Sequence, residues 1–286
     1  NNVSLSPGAQ QPVFTVRTPA GALGLSLTLS YSPPVVSRRN GDYNFAATPT
    51  PFGHCWSDAL IPSIEEHYAP NGYVWERTLS ASGAGLPAAS FRQVSGAWQP
   101  EPLTKASYNG SAVSFWQSGI LMPNQGLQHS VIETGSDTYY TWPWRVFDRN
   151  SNALCFSYNG VQETYVSPRD TVFVPRPTLA SNLFGGALSF SGQTFVQPFQ
   201  STDIWRTNHV FAINAVAQLE HGITQRVATL SYTSLNNYYI LLKSICFPDG
   251  SSNVFNYSSV SIGNASIPVL SSVVTPTDTI TIQCEG

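Results

Sequence analysis

The residues able to do chemistry are few and scattered. Glu65, Glu66 and His67 form the densest titratable run. Paired carboxylates can carry acid–base chemistry, and His beside Glu can hold a metal. The run ends an apolar stretch, residues 56–64, that reads as a strand. Neighbours on a strand point to opposite faces, so Glu65 and Glu66 do not converge. The remaining histidines, His54, His129, His209 and His221, are spread along the chain. There is no His-Glu-x-x-His, no Gly-x-Ser-x-Gly and no Gly-x-x-x-x-Gly-Lys-Ser/Thr. A hydrolase on this chain would need a split site, such as two distant carboxylates. The sequence therefore points to no catalytic residue, no metal site and no cofactor.

Aromatic residues offer a different chemistry. Tyr139, Tyr140, Trp142 and Trp144 lie within six residues. Alternation along a strand puts Trp142 and Trp144 on one face. Rings of this kind stack on apolar sugar faces, and they also fill β cores. Tyr140, Trp142 and Trp144 are thus a candidate ligand platform, for glycans, with core packing as the other reading.

Four cysteines, Cys55, Cys155, Cys246 and Cys284, are far apart and form no C-x-x-C pair. An even count suggests two disulfides, with Cys284 tying the last strand back to Cys246. Four Asn-x-Ser/Thr triplets, at Asn2, Asn109, Asn256 and Asn264, are candidate glycosylation sites. Together these features suggest a secretory route and an extracellular or cell-surface location.

Composition bounds the rest. The chain has 286 residues, 10% charged, 42% hydrophobic and 12% aromatic, with net charge -3. Low charge with abundant aromatics is not a disorder signature. The acidic balance argues against general nucleic-acid binding. No apolar run approaches the roughly twenty residues of a spanning helix. The start, Asn1-Asn2, suggests a processed chain or an excerpt.

The elements that must position these residues read as β throughout. Residues 23–31 give the clearest strand, with Leu23, Leu25, Leu27, Leu29 and Tyr31 on one face. Residues 12–18 alternate as a shorter strand, and Arg38-Arg39-Asn40-Gly41-Asp42 reads as a loop. Residues 210–220 have a helical composition, yet their alternation and their β surroundings favour a strand. Residues 243–259 read as strand, turn, strand. Pro248-Asp249-Gly250 supplies the turn, and Phe255 and Tyr257 share a face. A looser copy runs through residues 147–160, with Phe156-Ser157-Tyr158 after a polar turn led by Asp148.

Two such hairpins suggest a repeat, and on them the chain resembles the rearrangement-hotspot, or YD-repeat, proteins. In that family Asp-led turns and Phe-x-Tyr-Asp strands follow one another. Gly24-Leu25-Ser26-Leu27-Thr28-Leu29-Ser30-Tyr31-Ser32, followed by Gly53-His54-Cys55-Trp56-Ser57, resembles the segment that opens the family's repeats. His54-Cys55 departs from that pattern, and Tyr158-Asn159 and Tyr257-Ser258 stand in place of Tyr-Asp. The resemblance implies an all-β fold of antiparallel hairpins stacked into a sheet or spiral. Some family members enclose a toxic cargo and others act in adhesion; this chain is short for a closed shell. The expected organisation is an N-terminal arm and first strand (1–18) and one all-β domain (19–286), with a possible internal boundary near 175–198. The expected function is a secreted, glycosylated, non-enzymatic structural protein that self-associates, its arm carrying a strand into a neighbour to build a filament. A carbohydrate-binding module and a split-site hydrolase are the alternatives.

Overall fold

Leu25, Leu27, Leu29 and Tyr31 are each no more than 1% exposed, while Thr28 and Ser30 between them are only half-buried. The alternating face read from the sequence is the buried face of strand Ser26–Tyr31. The computed structural model describes residues 2–4, 13–17, 25–39, 42–46, 49–71, 74–83, 86–95, 97–102, 107–109, 118–121, 125–134, 139–148, 150, 152–165, 171–200, 205–236, 238–262 and 265–283. Side-chain packing is described within 25–34, 49–62, 90–102, 144–164, 174–198, 207–261 and 266–282. Leu23, Cys284 and Asn264 lie outside the described residues.

All regular structure among the described residues is β. A 14-stranded sheet runs from Ser107–Asn109 to Thr279–Gln283, with Asn2–Ser4 added at its last edge. That added pair is parallel, and the other pairs are antiparallel. A 4-stranded sheet spans residues 63–100, and Ser26–Tyr31 sits between Val13–Arg17 and Trp56–Asp58 in a 3-stranded sheet. Residues 210–220 belong to strand Trp205–Glu220, so alternation outweighed helical composition. Arg38, Arg39 and Asp42 are not loop residues. They end the strands of a hairpin, Val35–Arg39 with Asp42–Ala46, in which Arg39 faces Asp42. The main sheet passes through 175–198 unbroken, because Leu179, Ala180 and Ser181 pair with Ser189, Leu188 and Ala187.

The sheet is built from long hairpins that share few hydrogen bonds with one another. Strand Gly186–Gln200 pairs with Trp205–Glu220 along its whole length, and Ser252–Ile262 pairs with Ala265–Val274 likewise. Between hairpins the pairing is confined to a few residues beside the connecting turn, as in Ser244, Ile245 and Cys246 against Val254, Asn253 and Ser252. The Pro248-Asp249-Gly250 turn is of this connecting kind. Gly250 takes a positive φ of 83°, and Asp249 accepts from the Ser251 N–H and hydroxyl.

One extra residue marks the place where each hairpin leaves its neighbour. Trp144, Thr178, Asn214, Lys243 and Ser271 are each left unmatched by a one-residue shift of the pairing, and the first two pairings carry a further shift, at Val131/Glu133 and at Tyr158/Val161. The residue after each, Arg145, Leu179, Ala215, Ser244 and Ser272, is the last to pair with the next hairpin. A bulge bends its strand and increases the local twist, which here turns the hairpin out of the shared ladder. Opposite the extra residue stands His129, Tyr158, Gly192, Tyr232 or Tyr257. Two positions before the last four of these, Phe156, Phe190, Leu230 and Phe255 are buried. The two Phe-x-Tyr copies seen in the sequence are thus members of a five-fold structural repeat.

Two tyrosines of this repeat, Tyr232 and Tyr257, cap the bulge of the hairpin before them. The Tyr232 hydroxyl donates to the Ile213 carbonyl at 2.7 Å, and Tyr257 to the Leu242 carbonyl at 2.6 Å. Ile213 and Leu242 immediately precede the extra residues Asn214 and Lys243. At the third such place Tyr31 intervenes, accepting from the Leu270 N–H at 3.2 Å. Gly192 occupies one tyrosine position because Phe211 fills the space; a Cβ there would lie 2.3 Å from the Phe211 ring.

Both terminal strands pair within the chain. Asn2–Ser4 lies against Thr281, Ile282 and Gln283, and Val13–Arg17 lies against Ser26–Tyr31. The strand expected to be carried into a neighbour is already paired at home. If the tyrosine caps hold the hairpins in place, Tyr232→Phe leaves the Ile213 carbonyl without its hydroxyl donor. It should lower stability by about 1–2 kcal/mol in urea unfolding, with an unchanged denaturant slope. A variant as stable as the parent would show that the cap contributes nothing.

Candidate functional site

The candidate site is built by residues 49–62, which cross from one hairpin to the next. The Ile213 N–H donates to the Pro51 carbonyl at 2.7 Å, and Phe52 bridges Ala212. This segment therefore binds the part of strand Trp205–Glu220 that has left its neighbour, Ile223–Leu235. Thr50 holds the tight turn, its hydroxyl donating to the Trp56 carbonyl and accepting from the Phe52 N–H. Gly53 has φ of 84°, and a Cβ on it would come 2.6 Å from the Ile240 carbonyl. Only glycine permits this approach. Cys55 also takes a positive φ, 67°.

His54 is fully buried. Its Nδ1 accepts from the Ile240 N–H at 3.0 Å, which places the imidazole proton on Nε2. Nε2 has no hydrogen-bond partner. The Tyr238 and Tyr239 rings flank it at centroid distances of 5.7 Å each. Burial drops the imidazole to about 4, so it is neutral at pH 7. Burial pushes the Cys55 thiol up to about 12, which leaves no thiolate to act as a nucleophile.

Trp56 is the anchor. It has no exposed surface, stacks edge-on with Phe255 at 4.8 Å and with Tyr31 at 5.6 Å, and donates Nε1–H to the Tyr257 hydroxyl at 2.8 Å. Trp56, Tyr257 and the Leu242 carbonyl thus form a relay from the docked segment to a bulge. Asp58 closes the segment by accepting from the Leu60 and Ile61 N–H groups. Burial raises its carboxyl to about 6, against the pull of those donors. Burial, and secondarily the Asp58 charge, raises the Tyr158 hydroxyl.

Most residues singled out from sequence do not meet here. Glu65, Glu66 and His67 are consecutive on strand Ser63–Asn71, facing Ser80, Leu79 and Thr78 across the ladder. No group of three or more potential metal ligands occurs among the described residues. Trp144 is 37% exposed while Val146 is buried. Simple alternation would place them on one face, but Trp144 is itself the extra residue of a bulge, which breaks the alternation. The side chains of Tyr140 and Trp142 lie outside the described residues, as do those of Asn2 and Asn109. Asn256 is exposed, and its amide donates to the Ser272 hydroxyl at 3.0 Å.

Cys55, Cys155 and Cys246 are free thiols in this structure, and Cys284, the expected partner of Cys246, lies outside the described residues. Cys155 and Cys246 lie on strands five steps apart in the sheet order. At ~4.8 Å per step that is roughly 24 Å along the sheet, while a disulfide needs Cα atoms within about 7 Å. Of the site's polar residues, His54 and Tyr257 sit in the segments on which the family resemblance rests, and Asp58 carried no motif. Gly53, three residues before Trp56, was the signal that could have marked the docked turn.

No protein-family model matches the chain, and no curated protein does. Several solved structures are similar to it, among them two that cover most of its length. One is a crystal structure of TcdB2-TccC3-TEV, at 11% identity and TM-score 0.43, covering 88% of this chain. The chain spans 16% of the length of that protein. The other is the N-terminal domain of effector protein SpvB from Salmonella typhimurium strain LT2, at 14% identity and TM-score 0.41. That match covers 94% of this chain and 99% of the other.

His54 and Asp58 impose opposite pH dependences on docking. The His54 pKa falls on folding from about 6.5 to about 4. Its burial is therefore free of penalty above pH 6.5 and costs up to about 3 kcal/mol as pH falls to 4. The Asp58 pKa rises on folding from 3.8 to about 6, so its penalty is present above pH 6 and relieved as pH falls through that range. Asp58→Asn keeps the acceptor for Leu60 and Ile61 but removes the relief. Its melting temperature should drop more steeply than the parent's between pH 6 and pH 4. Parallel curves would show that Asp58 ionises freely.

Proposed function

We propose that this chain is a secreted, non-enzymatic structural protein: a length of β-sheet wall braced by its own N-terminal segment. The observation that carries this reading is the use of the docked segment's reactive side chains. His54 is a neutral hydrogen-bond acceptor, the Cys55 thiol is held protonated and Asp58 caps a turn. His54 thus holds the segment to the sheet, Asp58 holds the segment's own turn, and Cys55 lies in the core. The low charge content and the resemblance to YD-repeat hairpins support the same reading, and the exposed Asn256 supports a glycosylated outer surface. A filament by arm exchange would trade the pairing of Val13–Arg17 with Ser26–Tyr31 for the same pairing in a neighbouring copy.

The test is expression of the full chain through a secretory pathway, with intact mass measured before and after deglycosylation. The expected result is a loss of mass, reduced by one glycan in Asn256→Gln. An unchanged mass would sink the secreted reading.

A carbohydrate-binding module remains as a second reading because Trp144 is exposed on a bulge, where a ring is presented to solvent. On a glycan array the full chain should then retain a sugar that Trp144→Ala does not. No binding by the parent chain removes this reading.

A further inference from the structure

The bulges leave strand edges where the hairpins part, and the edges differ in what covers them. The edge of Trp205–Glu220 beyond Ala215 is covered by the docked segment through Pro51 and Phe52. At the ends of the main sheet the edge strands, Asn2–Ser4 and Ser107–Asn109, are only three residues long. Strand Thr171–Asn182 carries Pro175 and Pro177 after it has parted from Gly186–Gln200. Short strands and prolines are the usual guards of an edge.

Strand Gly186–Gln200 has no such guard over residues 191–197. Its lateral pairing with Thr171–Asn182 ends at Ser189, and from there on it is paired only with Trp205–Glu220 among the described residues. Ser191, Gly192, Gln193, Thr194 and Val196 are exposed, Val196 by 63%. Gly192 has no side chain, so its exposure is exposure of the backbone itself. The sequence Ser-Gly-Gln-Thr-Phe-Val-Gln contains no charge and no proline.

We propose that residues 191–197 form a self-association edge, pairing antiparallel with the same residues of a second copy about a two-fold axis. An antiparallel edge is complementary to itself, because every second residue turns both its N–H and its C=O to the free side and so presents the facing copy with the same pattern. The chain carries a net charge of -3, and this segment, which has no charged residue, brings no like charges together. The contact is small, so it gives a reversible dimer rather than a permanent one.

The test is sedimentation of the full chain over a range of concentrations. The parent should show a monomer–dimer equilibrium. With the axis at Thr194, Thr194→Lys sets two charges face to face and Val196→Lys sets a charge opposite Gly192 of the facing copy, and each should weaken dimerisation at least about tenfold. Circular dichroism and melting check that both variants stay folded. A second arm uses Thr194→Cys in a Cys246→Ser background, which should form a disulfide-linked dimer on mild oxidation. Ile223→Cys, equally exposed but away from the edge, should not. A parent chain monomeric at its highest soluble concentration, lysine variants that dimerise like the parent, or equal cross-linking at 194 and 223 would each overturn the proposal. It deepens the structural reading above, and the two fail separately, since a glycosylated monomer leaves that reading standing and ends this one.

Discussion

The fold depends on a buried hydroxyl meeting a backbone carbonyl beside a bulge. Hairpins that share only a few ladder bonds near their turns have little to hold them in line. Bending each one outward also breaks the regular ladder at the bulge. An unpaired buried carbonyl costs free energy comparable to a lost hydrogen bond. Tyr232 and Tyr257 remove that cost and tie each hairpin to the one before. Their rings also belong to the apolar layer packed against the core. One residue type thus supplies packing and hydrogen bonding at the same place, which neither Phe nor Ser can do.

The docked N-terminal segment follows from the same geometry. Strands that part leave backbone groups unpaired, and residues 49–62 bring backbone groups of their own to meet them. Pro51 offers its carbonyl to Ile213, and His54 offers an imidazole nitrogen to Ile240. Trp56 then reaches the Tyr257 hydroxyl, so the brace and the repeat share one hydrogen-bonded chain. The close approach at Gly53 is the narrowest part of this arrangement. Its Cα lies where any side chain would strike the Ile240 carbonyl. Burying His54 neutral and Asp58 with a raised pKa is the electrostatic consequence of filling that space with polypeptide rather than water.

Much of the fold was legible from local pattern. A period of two marked Leu25 to Tyr31, and its buried face is the one observed. Pro248-Asp249-Gly250 named its own turn, because φ preferences are local properties. Alternation outweighed helical composition in residues 210–220. The same logic failed at Trp144, since one unmatched residue reverses every side chain beyond it and leaves no mark in the sequence. It failed again at Arg38 to Asp42, where polar residues turned out to end strands.

What the sequence by itself determined is the β character, the inward face of strand Ser26–Tyr31, the turn chemistry and two Phe-x-Tyr copies. Each rests on neighbours in the chain. What only the tertiary structure decided is the five-fold repeat, the docking of residues 49–62 and the separation of the cysteines. The repeat is a repeat of bulge position, and the residue facing the bulge ranges from Tyr to His to Gly. His54 and Ile240 are 186 residues apart, and Trp56 and Tyr257 are 201 apart. Contacts of that span depend on how many strands lie between two residues and where each hairpin bends, and no local spacing records either quantity.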